Sequence, residues 1–435
     1  MAVILPNPVK PDESRYVNCI RCGLCLSVCP TYREYLKETA SPRGRVALTR
    51  KGLEGKLELT PNFIEQMYDC FACMACDDAC PVGIRPAGLA LSMRCIDEHN
   101  HPAKWKRQLF GGLISHTRRM ERATLPLRLY QRSGFRRLAY ALGILQLLPV
   151  KIRDLEAMLP RLPRRPLRLT LPEITRARGE EKYRVGFFLG CAQSLLFAEE
   201  SAAALRVLAR NGCTVITPKA VKCCGMPARG YGRMDLVEKQ AKNNIETFES
   251  IDIQYILTDC ATCGSTLKEY GNILTDDPEW KARAETFQAK VRDICEFLAA
   301  IPLEKPTGRV KSTAGMTGRV TYHDPCHLRR AQKVWNEPRK ILSLIDGLEF
   351  VELPEADWCC GSAGSQMITH YETSWKVLNR KLDNVEKTGA GILASGCPGC
   401  RMQLRTGFRK RGGTVRTVHP AALLDEAYGD SGGKQ

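Results

Sequence analysis

Two short cysteine runs constrain this chain more than any other feature. The first is Cys19-Ile20-Arg21-Cys22-Gly23-Leu24-Cys25-Leu26-Ser27-Val28-Cys29-Pro30. The second is Cys70-Phe71-Ala72-Cys73-Met74-Ala75-Cys76-Asp77-Asp78-Ala79-Cys80-Pro81. Both follow C-x2-C-x2-C-x3-C-P without deviation. Three thiolates at this spacing wrap one four-iron cubane, and in proteins with two clusters the fourth serves the other one. The spacing therefore predicts two [4Fe–4S] clusters, one on Cys19, Cys22, Cys25 and Cys80, the other on Cys70, Cys73, Cys76 and Cys29. Soft thiolates also suit zinc. Structural zinc, however, uses paired knuckles rather than a four-cysteine run followed by proline. Forty residues separate Cys29 from Cys70, including Ser41-Pro42-Arg43-Gly44-Arg45 and a helix-like stretch at 46–53. A compact β-rich ferredoxin has no need of such an insert, so residues 1–100 are expected to form a largely helical module.

Composition narrows the rest. The chain has 435 residues and 21 cysteines, too long and too odd in its count for a disulfide-stapled scaffold. The first residues show no basic start followed by an apolar core, and no stretch reaches the roughly 18 apolar residues of a membrane span. The expectation is a cytoplasmic protein in a reducing compartment, where short-spaced cysteines bind metal.

Net charge is +18, and it is concentrated: residues 101–180 hold 18 Lys and Arg against 5 Asp and Glu. Repeated proline between 159 and 166 forbids one long helix, so 101–180 reads as a basic connector of short helices. Such a block suits an acidic partner or an anionic membrane surface, or is simply a solvated linker. Nucleic acid is set aside, because the block lacks the interleaved aromatics of a stacking platform. Within it the apolar run 138–148, bounded by Pro149, reads as one short helix. At 1.5 Å per residue it is about 16 Å long, far short of a bilayer. The expectation is peripheral attachment at the inner face of the cytoplasmic membrane, or docking on a partner or the protein's own core.

The second half is an internal repeat, 182–310 and 318–428. Cys191 and Cys326 are 135 apart, Cys223-Cys224-Gly225 and Cys359-Cys360-Gly361 are 136 apart, and Cys260/Cys263 and Cys397/Cys400 are 137 apart. Apolar runs at 185–189 and 320–323 read as buried strands, as do 214–218 and 350–354, while 202–208 and 339–345 read as helices. Alternating strand and helix predicts a parallel α/β sheet with the cysteines at strand ends, the rim where such sheets bind ligands. Each repeat supplies five cysteines as C-x31–32-C-C-G-x34–35-C-x2-C. Adjacent cysteines can face one site only if the chain turns, and Gly225 and Gly361 permit that turn and a close approach to a cluster. Five thiolates exceed what tetrahedral zinc uses, so an iron–sulfur assembly explains the count better than zinc with a spare thiol. The candidate metal sites are Cys191, Cys223, Cys224, Cys260 and Cys263, and then Cys326, Cys359, Cys360, Cys397 and Cys400.

The helical module resembles the ferredoxin modules of succinate dehydrogenase-type iron–sulfur subunits. The whole arrangement, two ferredoxin runs and then two C…CCG…CxxC repeats, resembles the iron–sulfur subunits of glycolate oxidase. More widely it is similar to the CCG-domain family of heterodisulfide reductase-type and lactate-utilisation proteins. Gly190-Cys191-Ala192-Gln193, Lys242-Asn243-Asn244-Ile245, Lys268-Glu269-Tyr270-Gly271, Ala331-Gln332-Lys333 and Cys359-Cys360-Gly361-Ser362-Ala363-Gly364 carry the narrower likeness, which spans about residues 15–428. The resemblance implies an electron-transfer subunit of a flavin-dependent glycolate or D-lactate dehydrogenase with a quinone-linked acceptor. It also implies one or two non-cubane [4Fe–4S] clusters in the CCG repeats. All ten repeat cysteines are present, which favours the alternative, a heterodisulfide reductase-like subunit. There is no G-x-G-x-x-G or Walker A motif, so FAD is expected only in a partner subunit. No catalytic residue is assigned. Cys95, Cys213 and Cys295 read as small buried apolar residues, and His327 as a hydrogen-bonded structural histidine rather than a ligand or proton carrier.

Overall fold

The computed structural model describes residues 11–308, 310 and 318–429. The N-terminal residues read above for a leader lie outside this range.

Between residue 11 and Asn100 every regular element is a helix, as the long insert predicted. Pro30, Pro42, Pro61 and Pro86 each open one. Proline fits there because the first helical N–H has no intrahelical acceptor to lose. Ser41 and Thr60 cap two of these helices by accepting from Gly44 N and Phe63 N. Helices Pro61–Tyr68 and Pro86–Asn100 then close on a small core of Phe63, Ile64, Met67, Ala90, Met93 and Ile96.

The connector is a chain of short helices from Lys104–Lys106 to Leu167–Thr170. The run 138–148 is not the single helix expected. Helix Phe135–Ala141 ends there, Gly143 turns left-handed at φ +66°, and a 3-10 turn, Ile144–Leu147, follows. A left-handed residue breaks the i→i−4 ladder, and glycine adopts that conformation at no steric cost. Leu138, Tyr140, Leu142, Ile144 and Leu147 are exposed, while Ala139 and Leu145 are buried. Part of the connector's charge is spent internally: Arg168 pairs with Glu121 and Arg136 with Glu156, each at 2.6 Å. Among the described residues no helix is long and apolar enough to cross a membrane.

Among the described residues nine strands form two sheets. β1 (Ile174–Thr175), β2 (Tyr183–Phe187), β3 (Cys213–Ile216), β4 (Tyr255–Thr258) and β5 (Val291–Asp293) are ordered β1-β3-β2-β4-β5. β6 (Arg319–Tyr322), β7 (Glu349–Phe350), β8 (Ile392–Ala394) and β9 (Arg416–Val418) are ordered β7-β6-β8-β9. All pairs are parallel except β1 with β3. Val185 aligns with Val215 and Tyr255, and Val320 with Phe350 and Ile392, so the repeats share one order and register. The strand expected at 350–354 is shorter, because Val351 makes a last bond to Val320 O and Pro354 soon follows. In each repeat the chain builds one neighbour of the central strand, then crosses to the other side. The gap between those two directions is the crevice that binds ligands in open α/β sheets.

The sheets share one core, with Val185, Phe187, Val215 and Leu257 in the same buried cluster as Val320, Tyr322, Ile392 and Val418. Helix Ala198–Arg210 packs on Pro420–Ala427, and Ile294–Ala300 packs on Asn336–Ser343, an exchange of matched helices between repeats. Arg401, fully buried, crosses the seam to Gln193 Oε1 at 3.0 Å and to Glu200.

Asp293 ends β5 and caps Ile294–Ala300. Its Oδ1 accepts from Cys295 N at 2.8 Å, and its own N–H donates to Glu296 Oε2, which completes a capping box. Its Oδ2 is buried without a hydrogen-bond partner. Burial raises the Asp293 pKa to about 7; Glu296 and Asp259 act in the same direction and Lys268 opposes them. Because the folded value lies above the unfolded one, the stability that goes with the protonated form is complete below pH ~4 and is lost as pH rises towards 7. Asp293→Asn removes this dependence. Between pH 6 and pH 8 its unfolding free energy is expected to rise relative to the native chain by about 1 kcal/mol. Urea unfolding under anaerobic conditions measures the difference, and an unchanged gap between the two proteins contradicts the assignment.

Candidate metal centres

The two ferredoxin runs make two cavities. Cys19, Cys22, Cys25 and Cys80 line one, and Cys29, Cys70, Cys73 and Cys76 line the other. Each cavity therefore has three thiols from one run and the last cysteine of the other, and Pro86 stands in the wall of both. The two loops have matching backbones: Arg21 and Ala72 are left-handed at φ 55° and 49°, and Gly23 and Met74 at 87° and 60°. Left-handed residues curl the chain tightly enough to turn three thiols inward. The third thiol of each set, Cys25 or Cys76, sits on a one-turn helix, Leu24–Ser27 or Ala75–Asp78.

Two buried arginines, not foreseen from sequence, serve the second cavity. Arg45 lines it, held by bonds to Gln66 O at 2.9 Å and Thr31 Oγ1 at 3.2 Å. Arg94 donates to Met67 O, Cys70 O and, in the CCG half, Gly230 O. Burial raises the Cys70 thiol pKa and both guanidinium groups oppose it. The signal lay in the 41–45 segment of the insert, whose two arginines each line a different cavity, Arg43 the first and Arg45 the second.

In the first repeat the five cysteines converge at the C-terminal ends of β2, β3 and β4. Cys191 Sγ lies 4.0 Å from Cys223 Sγ, Cys224 and Cys263 share one buried cluster with Cys223 and Cys260, and Cys263 N donates to Cys260 Sγ. The Cys223–Cys224 turn is clamped from behind: Asn244 Nδ2 donates to Cys223 O and Tyr270 OH to Cys224 O, both buried. In the second repeat Cys360 Sγ lies 3.1 Å from Cys400 Sγ, Gly361 N donates to Cys359 Sγ, and Cys397 shares one buried cluster with Cys360 and Cys400. Cys326 packs against the buried cluster that holds Cys73 and Cys359. Gly225 and Gly361 have φ +102° and +80°, as the turn demanded. What their missing side chains leave room for is a helix: a Cβ on Gly361 would lie 2.4 Å from Ser374 O and one on Gly225 2.9 Å from Val237 Cγ1.

The sets adjoin one another. Cys73 and Cys359 lie in one buried cluster, and the neighbouring Cys359 thiol lowers the Cys73 pKa. Across the seam Ala261 N donates to Gly396 O at 3.0 Å, and Thr262 Oγ1 lies 3.5 Å from Cys397 Sγ. His327 sits between the two CCG sets, its Nδ1 3.4 Å from Cys326 Sγ, with burial and Arg229 lowering its pKa to about 4. Cys95, Cys213 and Cys295 are buried away from these groups, and burial raises Cys95 to about 11 and Cys213 to about 12.

This chemistry fits iron–sulfur clusters. The two cavities offer four thiols each, and the CCG sets offer five apiece, more than a tetrahedral ion takes. Crowding among neighbouring thiols sets the CCG pairs apart, lowering the pKa of Cys224 and Cys360 well below that of an ordinary thiol and raising that of Cys223 and Cys359 well above it. Metal binding resolves such crowding by displacing the protons.

Comparison with known proteins agrees. A family model for a 4Fe–4S dicluster domain matches residues 16–84, and one for a cysteine-rich (CCG) domain matches 185–268 and 320–405. The linker region of glycolate oxidase iron–sulfur subunits matches 102–159, so the connector is itself a family feature. The chain is 36% identical to a probable glycolate oxidase iron–sulfur subunit of Bacillus subtilis, covering 97% of this chain and 96% of that one. It is 30% identical to the glycolate oxidase iron–sulfur subunit of Escherichia coli, over 90% of each. It is 28% identical to one of the subunits of the CoM/CoB fumarate reductase of Methanothermobacter marburgensis, over 97% of this chain and 75% of that one. The chain belongs to the glycolate oxidase iron–sulfur subunit family.

Proposed function

We propose that this chain carries electrons from an FAD-bearing partner that oxidises glycolate or D-lactate towards a quinone-linked acceptor. The observation that supports this most is the unbroken adjacency of the four cysteine sets. Pro86 borders both ferredoxin cavities, Cys73 and Cys359 share one buried cluster, and Thr262 Oγ1 lies against Cys397 Sγ. In this reading Cys19, Cys22, Cys25 and Cys80 hold one [4Fe–4S] cluster and Cys70, Cys73, Cys76 and Cys29 the other. The CCG sets, Cys191/Cys223/Cys224/Cys260/Cys263 and Cys326/Cys359/Cys360/Cys397/Cys400, hold one or two non-cubane [4Fe–4S] clusters. Such clusters, when bound, take up and release single electrons. Arg45 and Arg94 supply positive charge beside the buried sulfurs, and the apolar walls around Phe71, Trp358 and Val377 keep water from the Cys73–Cys359 contact.

The exchange of fourth ligands is tested in the full chain. Cys80→Ser should damage the cluster built on Cys19, Cys22 and Cys25, and Cys29→Ser the one built on Cys70, Cys73 and Cys76. Iron and sulfide analysis with EPR of each variant reads this out; loss of only the Cys70 cluster in Cys80→Ser sinks the assignment.

The conduit is tested in the complex purified with its native partners. Glycolate or D-lactate should bleach the partner's flavin and reduce quinone. With Cys73→Ser, flavin bleaching should persist while quinone reduction falls to background. Quinone reduction at the native rate would show that electrons bypass this chain.

The ten intact CCG cysteines and the methanogen relative favour a second reading, reduction of a small heterodisulfide at the CCG sets. Disulfide turnover by the isolated chain with a viologen donor would establish it, and its absence beside hydroxyacid turnover would exclude it.

The connector's exposed Leu138, Tyr140, Leu142, Ile144 and Leu147, flanked by arginines, form the proposed contact with a membrane surface or with the flavin subunit. Flotation with anionic liposomes separates the two. Binding by the complex at low salt supports the membrane, and binding by the isolated chain alone assigns the face to the partner.

A further inference from the structure

His323 is the first residue beyond β6 and is 1% exposed. Its backbone N–H donates to Ala394 O at 3.0 Å, which fixes it at the ligand-binding edge of the second sheet. Neither ring nitrogen has a hydrogen-bond partner among the described residues. A ring nitrogen and the Sγ atoms of Cys360 and Cys400 all lie within 4.8 Å of one another. Burying an imidazole with both nitrogens unpaired is unfavourable. Its place here calls for a partner that the protein's own atoms do not supply.

The first repeat provides an internal control. Phe188 follows β2 as His323 follows β6, and its N–H makes the matching bond to Leu257 O at 2.8 Å. Phe188 is fully buried in the cluster that contains Cys223, Cys224, Cys260 and Cys263. An apolar ring therefore satisfies the sheet at this position, and nothing in the packing requires imidazole. His327 does not serve in its stead, since it lies against Cys326 on the side facing the first repeat, towards Arg229 and Cys224.

We propose that His323 is a nitrogen ligand to iron in the centre held by Cys326, Cys359, Cys360, Cys397 and Cys400, and that the first set has no such ligand. This rests on the reading of the second set as an iron–sulfur site. Neutral imidazole brings no negative charge, and imidazole ligation raises a cluster's reduction potential relative to thiolate. The two repeats, alike in their cysteines, are then electronically distinct.

The test uses the full chain purified anaerobically, with and without 15N-labelled histidine, and pulsed EPR of its paramagnetic states. The signal of the second set is the one that Cys360→Ser removes. That signal is expected to carry a nitrogen coupling that changes with 15N and is lost in His323→Phe, the side chain the first repeat already holds there. His323→Cys should keep the iron, lose the nitrogen coupling and shift the midpoint potential downward. A second-set signal without nitrogen coupling, or a coupling that survives His323→Phe, overturns the inference and leaves the iron–sulfur reading standing. If Cys360→Ser removes neither iron nor signal, or the second set holds only zinc, the reading fails and the inference with it.

Discussion

Eight of the ten CCG cysteine thiols are buried, and Cys191 and Cys326 are half-buried, at the ends of two sheets where a thiolate has little water to solvate it. The fold around them answers that difficulty with backbone. Cys191 and Cys326 open helices, and Cys260 and Cys397 are the N-cap residues of two more. A helix N-terminus favours negative charge and lowers the pKa of a thiol placed there. The Cys-Cys-Gly turns bring in the rest, made possible by left-handed glycines pressed against neighbouring helices. Metal binding and folding are coupled in sites of this kind, because the ligands must lose protons together.

The N-terminal module meets the same difficulty with side chains. Its thiols sit on loops and one-turn helices with little dipole to offer, and buried guanidinium groups take that role. Arg94 also ties the module to the CCG half through Gly230 O. The Cys73–Cys359 contact therefore forms part of a fixed interface, with Phe71, Trp358 and Val377 packed around it.

Much of this was legible before any coordinates. The cysteine spacing named both ferredoxin sets, and the 135 to 137 residue offsets named the repeat, because metal ligands and strand ends leave rigid marks in sequence. The helical character of the first module followed from the insert between Cys29 and Cys70. Less was legible where long-range packing decides. The run 138–148 looked like one helix from its apolar residues, yet Gly143 divides it. Arg45 and Arg94 look like surface residues in sequence, since nothing local says that a guanidinium is buried. His323 looked like the end of a strand, and only its match with Phe188 across the repeat shows that an unpaired imidazole stands where a hydrophobic ring would fit. The exchange of helices between repeats has no local signature, because both partners of each pair read as ordinary amphipathic helices.

The central claim is that four adjoining cysteine sets hold iron in one continuous series. Anomalous diffraction from anaerobically grown crystals, recorded across the iron and zinc absorption edges, tests it most directly. The account predicts iron in both ferredoxin cavities and at both CCG sets, with the second-repeat iron between that of the Cys70 cavity and that of the first repeat. Iron confined to the two N-terminal cavities, or zinc alone at the CCG sets, would contradict it.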